Sequence, residues 1–167
     1  YDGGGLDQAF LGMAQVNAQG DVNVSRFGSK IAGAGGFINI SQNTKQLYFM
    51  GAFVSGDSGL VITDQGLQAS DSESTVVKFV EQVEHLTFNG RYAAQQGQQV
   101  LYITERCVFR LTNLGIELIE IAPGLDLQRD ILDRMAFRPL IAEPLRRSDL
   151  RLYRPTPMGI SAPQTDR

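Results

Sequence analysis

Gly33-Ala34-Gly35-Gly36-Phe37 is the stretch of this 167-residue chain whose residue types best suit chemistry through the backbone. Glycine reaches φ > 0 and lets a ligand approach bare main chain. If the following run, Phe37 to Asn43, is a helix, its first N–H groups are unpaired, and that end suits an oxyanion, carboxylate or phosphate. Ile38 and Ile40 are only fair helix formers, so a strand there stays open. The ordinary alternative for the glycines is a tight loop. No Walker A motif occurs, and Ile38 stands where a dinucleotide fingerprint would have its last glycine.

Side-chain chemistry is sparser. His85 is the single histidine, at the lip of a strand with no partner evident. Cys107 sits in an apolar strand and reads as a packing residue. Arg106 is weak support for a thiolate, because neighbours on a strand point to opposite faces. Ser25 and Ser41 would need a base that the sequence does not show. Glu105 and Glu120 are candidate carboxylates, best read as solvated or ion-paired strand-end residues. One Cys and one His exclude a Cys/His zinc site within this chain, and no metal is expected.

Composition bounds the rest. Apolar residues are 43% and charged ones 20%, as in a globular protein, and the net charge of -3 argues against nucleic acid as a partner. The length suits one domain, able to bury roughly 70% of the surface of its unfolded chain. No run approaches 18 apolar residues, so no membrane span is expected. With no signal-peptide pattern at Tyr1-Asp2-Gly3-Gly4-Gly5 and a lone cysteine, the expected setting is the cytoplasm. That opening, a turn with no apolar element before it, reads as the middle of a longer protein.

The elements follow from apolar patterning. Ala9 to Val16 reads as a strand, Asn17 to Asp21 as a turn and Val22 to Val24 as a short extended piece. Leu47 to Val54 is almost continuously apolar, the pattern of a strand buried on both faces in a parallel sheet. Leu60 to Thr63 and Leu67 make a hairpin around Asp64-Gln65-Gly66, and Ser70 to Ser74 a surface loop. Val76 to Val80, Leu86 to Phe88, Val100 to Thr104, Cys107 to Leu111 and Ile116 to Ile121 read as strands. Between them Glu105-Arg106 is a tight connection, and Asn89-Gly90 and Asn113-Leu114-Gly115 are turns. Leu127, Ile131 and Met135, widened by Leu132, predict an amphipathic helix with Asp126 as N-cap, Arg134 near its end and Pro139 as its stop. Residues 1–154 form the domain and 155–167 a flexible tail.

The order of motifs is itself informative. Leu11 to Val16, Gly20 to Ser25, Gly33 to Asn39, Ile103 to Phe109 and Ile121-Ala122-Pro123-Gly124 together resemble the closing part of class I coenzyme A transferases. The resemblance is to the fused short-chain acyl-CoA:acetate, propionate or 3-oxoacid type, and it runs from residue 1 to about Arg154. It implies an α/β fold, an open and mostly parallel sheet with flanking helices, of which this chain is the C-terminal part of the β-type half. It also implies catalysis through a glutamyl-CoA thioester, with acyl-CoA and a short-chain carboxylate as substrates and no cofactor. Gly35 and Gly36 would then supply a backbone oxyanion hole, with Gly33, Ala34, Phe37 and Asn39 binding substrate.

One departure matters. The family's nucleophile lies in a Glu-Asn-Gly-type motif, and the chain's Asn89-Gly90 follows His85-Leu86-Thr87-Phe88 with no glutamate. The nucleophile is therefore expected upstream of Tyr1. The upstream part of the same enzyme becomes a partner, within a homo-oligomer. Two rival readings differ in class: a non-catalytic domain of the same fold that binds an acyl-CoA or a protein partner, and a sugar-phosphate isomerase or regulator of similar topology. The second would want basic residues at the glycine loop, where only Arg26, Lys30 and Lys45 are near in sequence.

Overall fold

The structure, a computed structural model, describes residues 1–70 and 75–160. In chain order the elements are β1 (Leu6–Gly12), β2 (Gln15–Val16), β3 (Val22–Asn23), β4 (Arg26–Phe27), β5 (Lys30–Ile31), α1 (Phe37–Asn43), β6 (Thr44–Met50), β7 (Val54–Ser55), β8 (Leu60–Thr63), β9 (Gly66–Ala69), β10 (Val76–Val77), α2 (Gly90–Gln95), β11 (Gln99–Ile103), β12 (Cys107–Thr112), β13 (Gly115–Ile121), α3 (Leu127–Asp130) and β14 (Leu140–Arg147). Short 3-10 turns occupy Leu132–Arg134 and Leu150–Tyr153.

A six-stranded sheet in the order β1-β6-β11-β12-β13-β14 organises these elements. The β1/β6, β6/β11 and β13/β14 pairings are parallel, and the β11/β12 and β12/β13 pairings antiparallel. The expected α/β sheet, open and mostly parallel, is therefore present, with short helices beside it. β11, β12 and β13 form the meander that the alternating sequence predicted, with Glu105-Arg106 and Asn113-Leu114 as its turns.

Strand periodicity decides which side chains enter the core. Ala9, Leu47, Phe49, Val100, Tyr102, Phe109 and Leu118 share one face and are all buried. On that face Phe49 stacks on Tyr102 and Phe37 and meets Phe88 edge-on, while Phe79 bridges Phe53 and Phe109. Tyr102 is fully buried, and its hydroxyl donates to the Gly20 carbonyl at 2.6 Å. Tyr102→Phe strands that carbonyl and should cost about 1–3 kcal/mol. Denaturant unfolding checks this, and an unchanged midpoint would contradict it.

The opposite face corrects one expectation. β6 is not buried on both sides: Met50 is exposed and Gln46 and Tyr48 half-buried, while Leu47 and Phe49 on the other side are enclosed. The apolar run is continuous because both faces of the strand are apolar, but within this chain only one is covered. The register lines Phe10, Tyr48, Leu101, Arg110, Glu117 and Leu140 across the open face. Phe10 is 61% exposed and stacks on Tyr48 at 4.8 Å.

Other boundaries also move. β1 stops at Gly12, and Gln15–Val16 instead pairs with Val22–Asn23 as a hairpin. Of Val76 to Val80 only Val76–Val77 is a strand, paired with β7. Leu86 to Phe88 is not a strand: one bridge ties Phe88 to Val22. Asn89-Gly90 is not a hairpin turn but the start of α2, where the Asn89 side chain accepts from Tyr92 N–H. Glycine is needed there because a Cβ at Gly90 would collide with the Gln19 carbonyl oxygen.

The predicted helix beyond Pro123-Gly124 is much shorter. Asp126 does cap it, accepting from Arg129 N–H at 2.8 Å, but α3 ends at Asp130. The buried Asp130 carboxylate turns back onto Asp126 N–H, and Ala136 N–H bonds to Phe79, which draws the chain out of the helix. β14 is the main omission. The sequence reading placed no element over these residues; the strand contains Pro144, which lies where the pairing with β13 shifts register, on a sheet edge that tolerates proline. The Ser70 to Ser74 loop and the 155–167 tail fall largely outside the described residues.

Candidate active site

β1, β6 and β11 run parallel, so their last residues, Gly12, Met50 and Ile103, lie at one end of the sheet. Phe37 opens α1 and stacks on Phe49, the penultimate residue of β6, so α1 runs back against the strand that follows it. The sequence's open choice between helix and strand after the glycines is thus resolved as helix. The glycine loop stands at the C-terminal end of the parallel strands, where open α/β sheets place their ligands.

Gly33 and Gly35 have φ of 81° and 51°, and Gly36 is the residue before α1. Nothing lies within 4 Å of where a Cβ would stand at Gly33 or Gly35. Backbone conformation, not crowding, requires glycine there. Gly33 N–H and Ala32 N–H both donate to the Ser25 carbonyl, at 3.0 and 2.9 Å. The N–H groups of Gly35 and Gly36 have no acceptor among the described residues, and both glycines are exposed. Phe37 is buried, so its ring anchors the loop and only its backbone faces outward. Ala34 is half-buried and accepts from Phe37 N–H, while Asn39 is exposed and donates to Asp2.

His85 gains the partner that the sequence did not show. Its Nδ1 lies 2.7 Å from the Ser25 hydroxyl, which is also 2.7 Å from the Thr87 hydroxyl. Ser25 is only 4% exposed, so this pair ties loops together and does not present a nucleophile. Asn23 completes the knot: its side-chain oxygen accepts from Ser25 and Arg26 N–H, and its amide donates to Gln15 and the Arg26 carbonyl. Glu84 accepts from Gly28 N–H and from Gln15, which hold its carboxyl below the ordinary glutamate range. The Asn23-x-Ser25 spacing was the available signal for this knot, since such side chains bond backbone two residues on.

The remaining candidates are occupied. Ser41 is buried and bonds the Ile38 carbonyl. Burial pushes the Cys107 thiol far above its usual pKa, which keeps it protonated. Glu105 accepts from Phe53 N–H, and its other oxygen lies 3.6 Å from Arg106 Nε. Arg106 is itself buried, donating to Asp130 and Ser58 carbonyls over the Phe53 ring. Glu120 accepts from the Ser148 hydroxyl. Of the basic residues near the loop in sequence, Arg26 turns to the Gly28 carbonyl, and Lys45, at the start of β6, pairs with Asp7 at 2.7 Å, so neither is aimed at a phosphate on the glycines. The described residues include no group of three acidic, His or Cys side chains placed to hold a metal. No described helix is long and apolar enough to cross a membrane.

A depression of about 540 Å³ lies at the loop's end of the sheet, lined by Met50, Ala52, Ile103, Thr104 and Glu105 among others. A cleft of about 480 Å³ lies at the opposite end, between the starts of β6 and β11 and α2. Neither is walled by residues 33–36.

No protein-family model matches the chain. It is 47% identical over 158 residues to the caffeate CoA-transferase of Acetobacterium woodii, covering 92% of this chain and 30% of that protein. It is 45% identical over 164 residues to the acetate CoA-transferase YdiF of Escherichia coli K12, covering 98% of this chain and 31% of that one. The crystal structure of YdiF from E. coli O157:H7 as a thioester complex with CoA superposes with a TM-score of 0.90 at 43% identity, over 96% of this chain and 31% of that one. Glutaconate CoA-transferase from Acidaminococcus fermentans shares the fold, with a TM-score of 0.58 at 17% identity over 86% of this chain and 53% of that one. The chain spans about a third of the length of the curated relatives that it matches. Over that third, motif order, sheet topology and these likenesses agree in supporting a class I coenzyme A transferase family.

Proposed function

We propose that this chain is part of an enzyme that moves coenzyme A from a short-chain acyl-CoA, of the acetate, propionate or 3-oxoacid type, to a second carboxylic acid. The carrying observation is the pair of exposed, unspent N–H groups at Gly35 and Gly36, at the C-terminal end of the parallel strands. The nucleophile is a glutamate carboxylate outside the chain. Its oxygen attacks the thioester carbonyl, the C–S bond breaks and CoA leaves as thiolate, forming an acyl-glutamyl anhydride. The thiolate attacks the glutamyl carbonyl, releasing the first acid and forming the glutamyl-CoA thioester. The second acid's carboxylate repeats the two steps in reverse order, and the glutamate is regenerated.

Every nucleophile and leaving group in that cycle is an anion, so no proton is moved and no general base is required. This accords with a chain whose Ser25, Ser41 and Cys107 are all buried. What each step does need is stabilisation of a tetrahedral oxyanion. Backbone donors supply roughly 3–4 kcal/mol each in well-studied oxyanion holes. Gly35 and Gly36 take that role, and Gly33, Ala34, Phe37 and Asn39 shape the loop against the substrate.

Initial-rate kinetics of the complete enzyme with acetyl-CoA and propionate test the proposal. Parallel double-reciprocal lines, with exchange of labelled acetate into acetyl-CoA when propionate is absent, are expected. Intersecting lines without exchange would overturn it, as would acyl-CoA binding with no transfer.

A further inference from the structure

We propose that Glu84 and His85 are positioning residues for the glycine loop, holding its approach hairpin at tip and base. The inference rests on the function proposed above for that loop. The loop has two ends to fix. Phe37 fixes one, buried against Phe49. The other enters from the β4–β5 hairpin, where Arg26, Gly28, Ser29, Lys30 and Ile31 are all exposed. Burial therefore holds that hairpin only weakly, and polar contacts must set its place.

Asn23 supplies some of those contacts at Ser25 and Arg26, and the segment 84–87 supplies the others that reach the hairpin from outside. At the hairpin's base, Ser25 accepts Ala32 and Gly33 N–H on its carbonyl, and its hydroxyl is held by His85 Nδ1 and Thr87. At its tip, Gly28 N–H donates to Glu84, whose other oxygen accepts from Gln15. The segment is itself rooted in the core: Phe88 is 2% exposed against Phe49, and Thr87 and Phe88 N–H donate to the Val22 carbonyl. A rigid line thus runs from the core through Phe88 to His85 and Glu84, then to Ser25 and Gly28, and ends at Gly33. Gly35 and Gly36 are two and three residues beyond it. A donor pair must sit where charge develops, so slack at Gly33 is slack at the oxyanion.

The test uses the complete enzyme carrying Glu84→Ala, Glu84→Gln, His85→Ala and His85→Asn. Asparagine places a hydrogen-bonding atom close to the position of Nδ1, and glutamine keeps an acceptor for Gly28. Two readouts are taken: hydrogen exchange of the Ala32 and Gly33 amides, and steady-state transfer from acetyl-CoA to propionate. Both alanine variants should speed exchange at those amides, with protection of β6 and β11 unchanged. They should lower kcat about tenfold with KM for acetyl-CoA within about twofold, and Asn and Gln should recover kcat to within about threefold. Unchanged exchange overturns the inference, as does faster exchange with kcat intact or a loss that the conservative variants do not relieve. If the wild-type enzyme shows no transfer, the function fails by itself, and exchange alone then decides whether the clamp exists.

Discussion

Gly35→Val in the complete enzyme should lower kcat by at least ~100-fold while the fold survives, the scale of losing one oxyanion donor. Gly35 has φ of 51°, and no atom lies within 4 Å of where its Cβ would stand, so a side chain meets open space but a strained backbone. A β-branched residue relieves that strain by turning the peptide planes on either side, which re-aims the N–H groups of Gly35 and Gly36. An oxyanion contact strengthens as charge develops, so kcat should fall far more than KM rises. Gly97→Val is the matched control. Gly97 has φ of 70° and equally open surroundings, but it follows α2 at the other end of the sheet. It should suffer the same strain and keep nearly full kcat. Equal losses in the two variants would make the glycine loop a structural turn.

A polypeptide of residues 1–167 alone should show no CoA transfer and should self-associate. On the proposed mechanism, activity requires a carboxylate nucleophile at the loop. The candidates here are engaged elsewhere, Glu105 with Phe53 N–H and Arg106, Glu120 with Ser148. Association follows from the uncovered sheet face, where Phe10 and Met50 are 61% and 47% exposed beside half-buried Tyr48, Leu101 and Ile103. A contiguous apolar face of that kind is characteristic of an interaction surface. Light scattering should report oligomers that give way to a defined complex when the rest of the enzyme is supplied. A clean monomer indifferent to that addition, or measurable transfer by the piece, would contradict the prediction.

Much of the sheet was legible because strand signals are local. Leu47 to Met50, Val100 to Ile103 and Ile116 to Ile121 carry enough apolar and β-branched residues to be strands in any context. What failed depended on partners far away in sequence. β6 reads as doubly buried because its Tyr48 and Met50 face is apolar, and no residue near it says that this chain leaves the face open. α3 was over-extended because Leu127, Ile131 and Met135 keep helical spacing, while Asp130 and Phe79 impose a different path. β14 received no reading from the sequence; its Leu140, Ile141 and Leu145 are interrupted by Pro144, a residue excluded from a central strand but not from an edge. At the candidate site, the glycines were visible at once from residue type, and Gly33 and Gly35 do adopt the positive φ that glycine favours. The Ser25–His85 contact was invisible, because it joins positions sixty residues apart through one side chain each.

The most direct measurement is intact and peptide mass spectrometry of the complete enzyme after incubation with acetyl-CoA and rapid quenching. The proposed chemistry predicts a covalent CoA adduct on one glutamate outside residues 1–167, discharged on adding propionate and diminished in Gly35→Val. An enzyme that transfers CoA with no adduct, or with the adduct on Glu105 or Glu120, would contradict it.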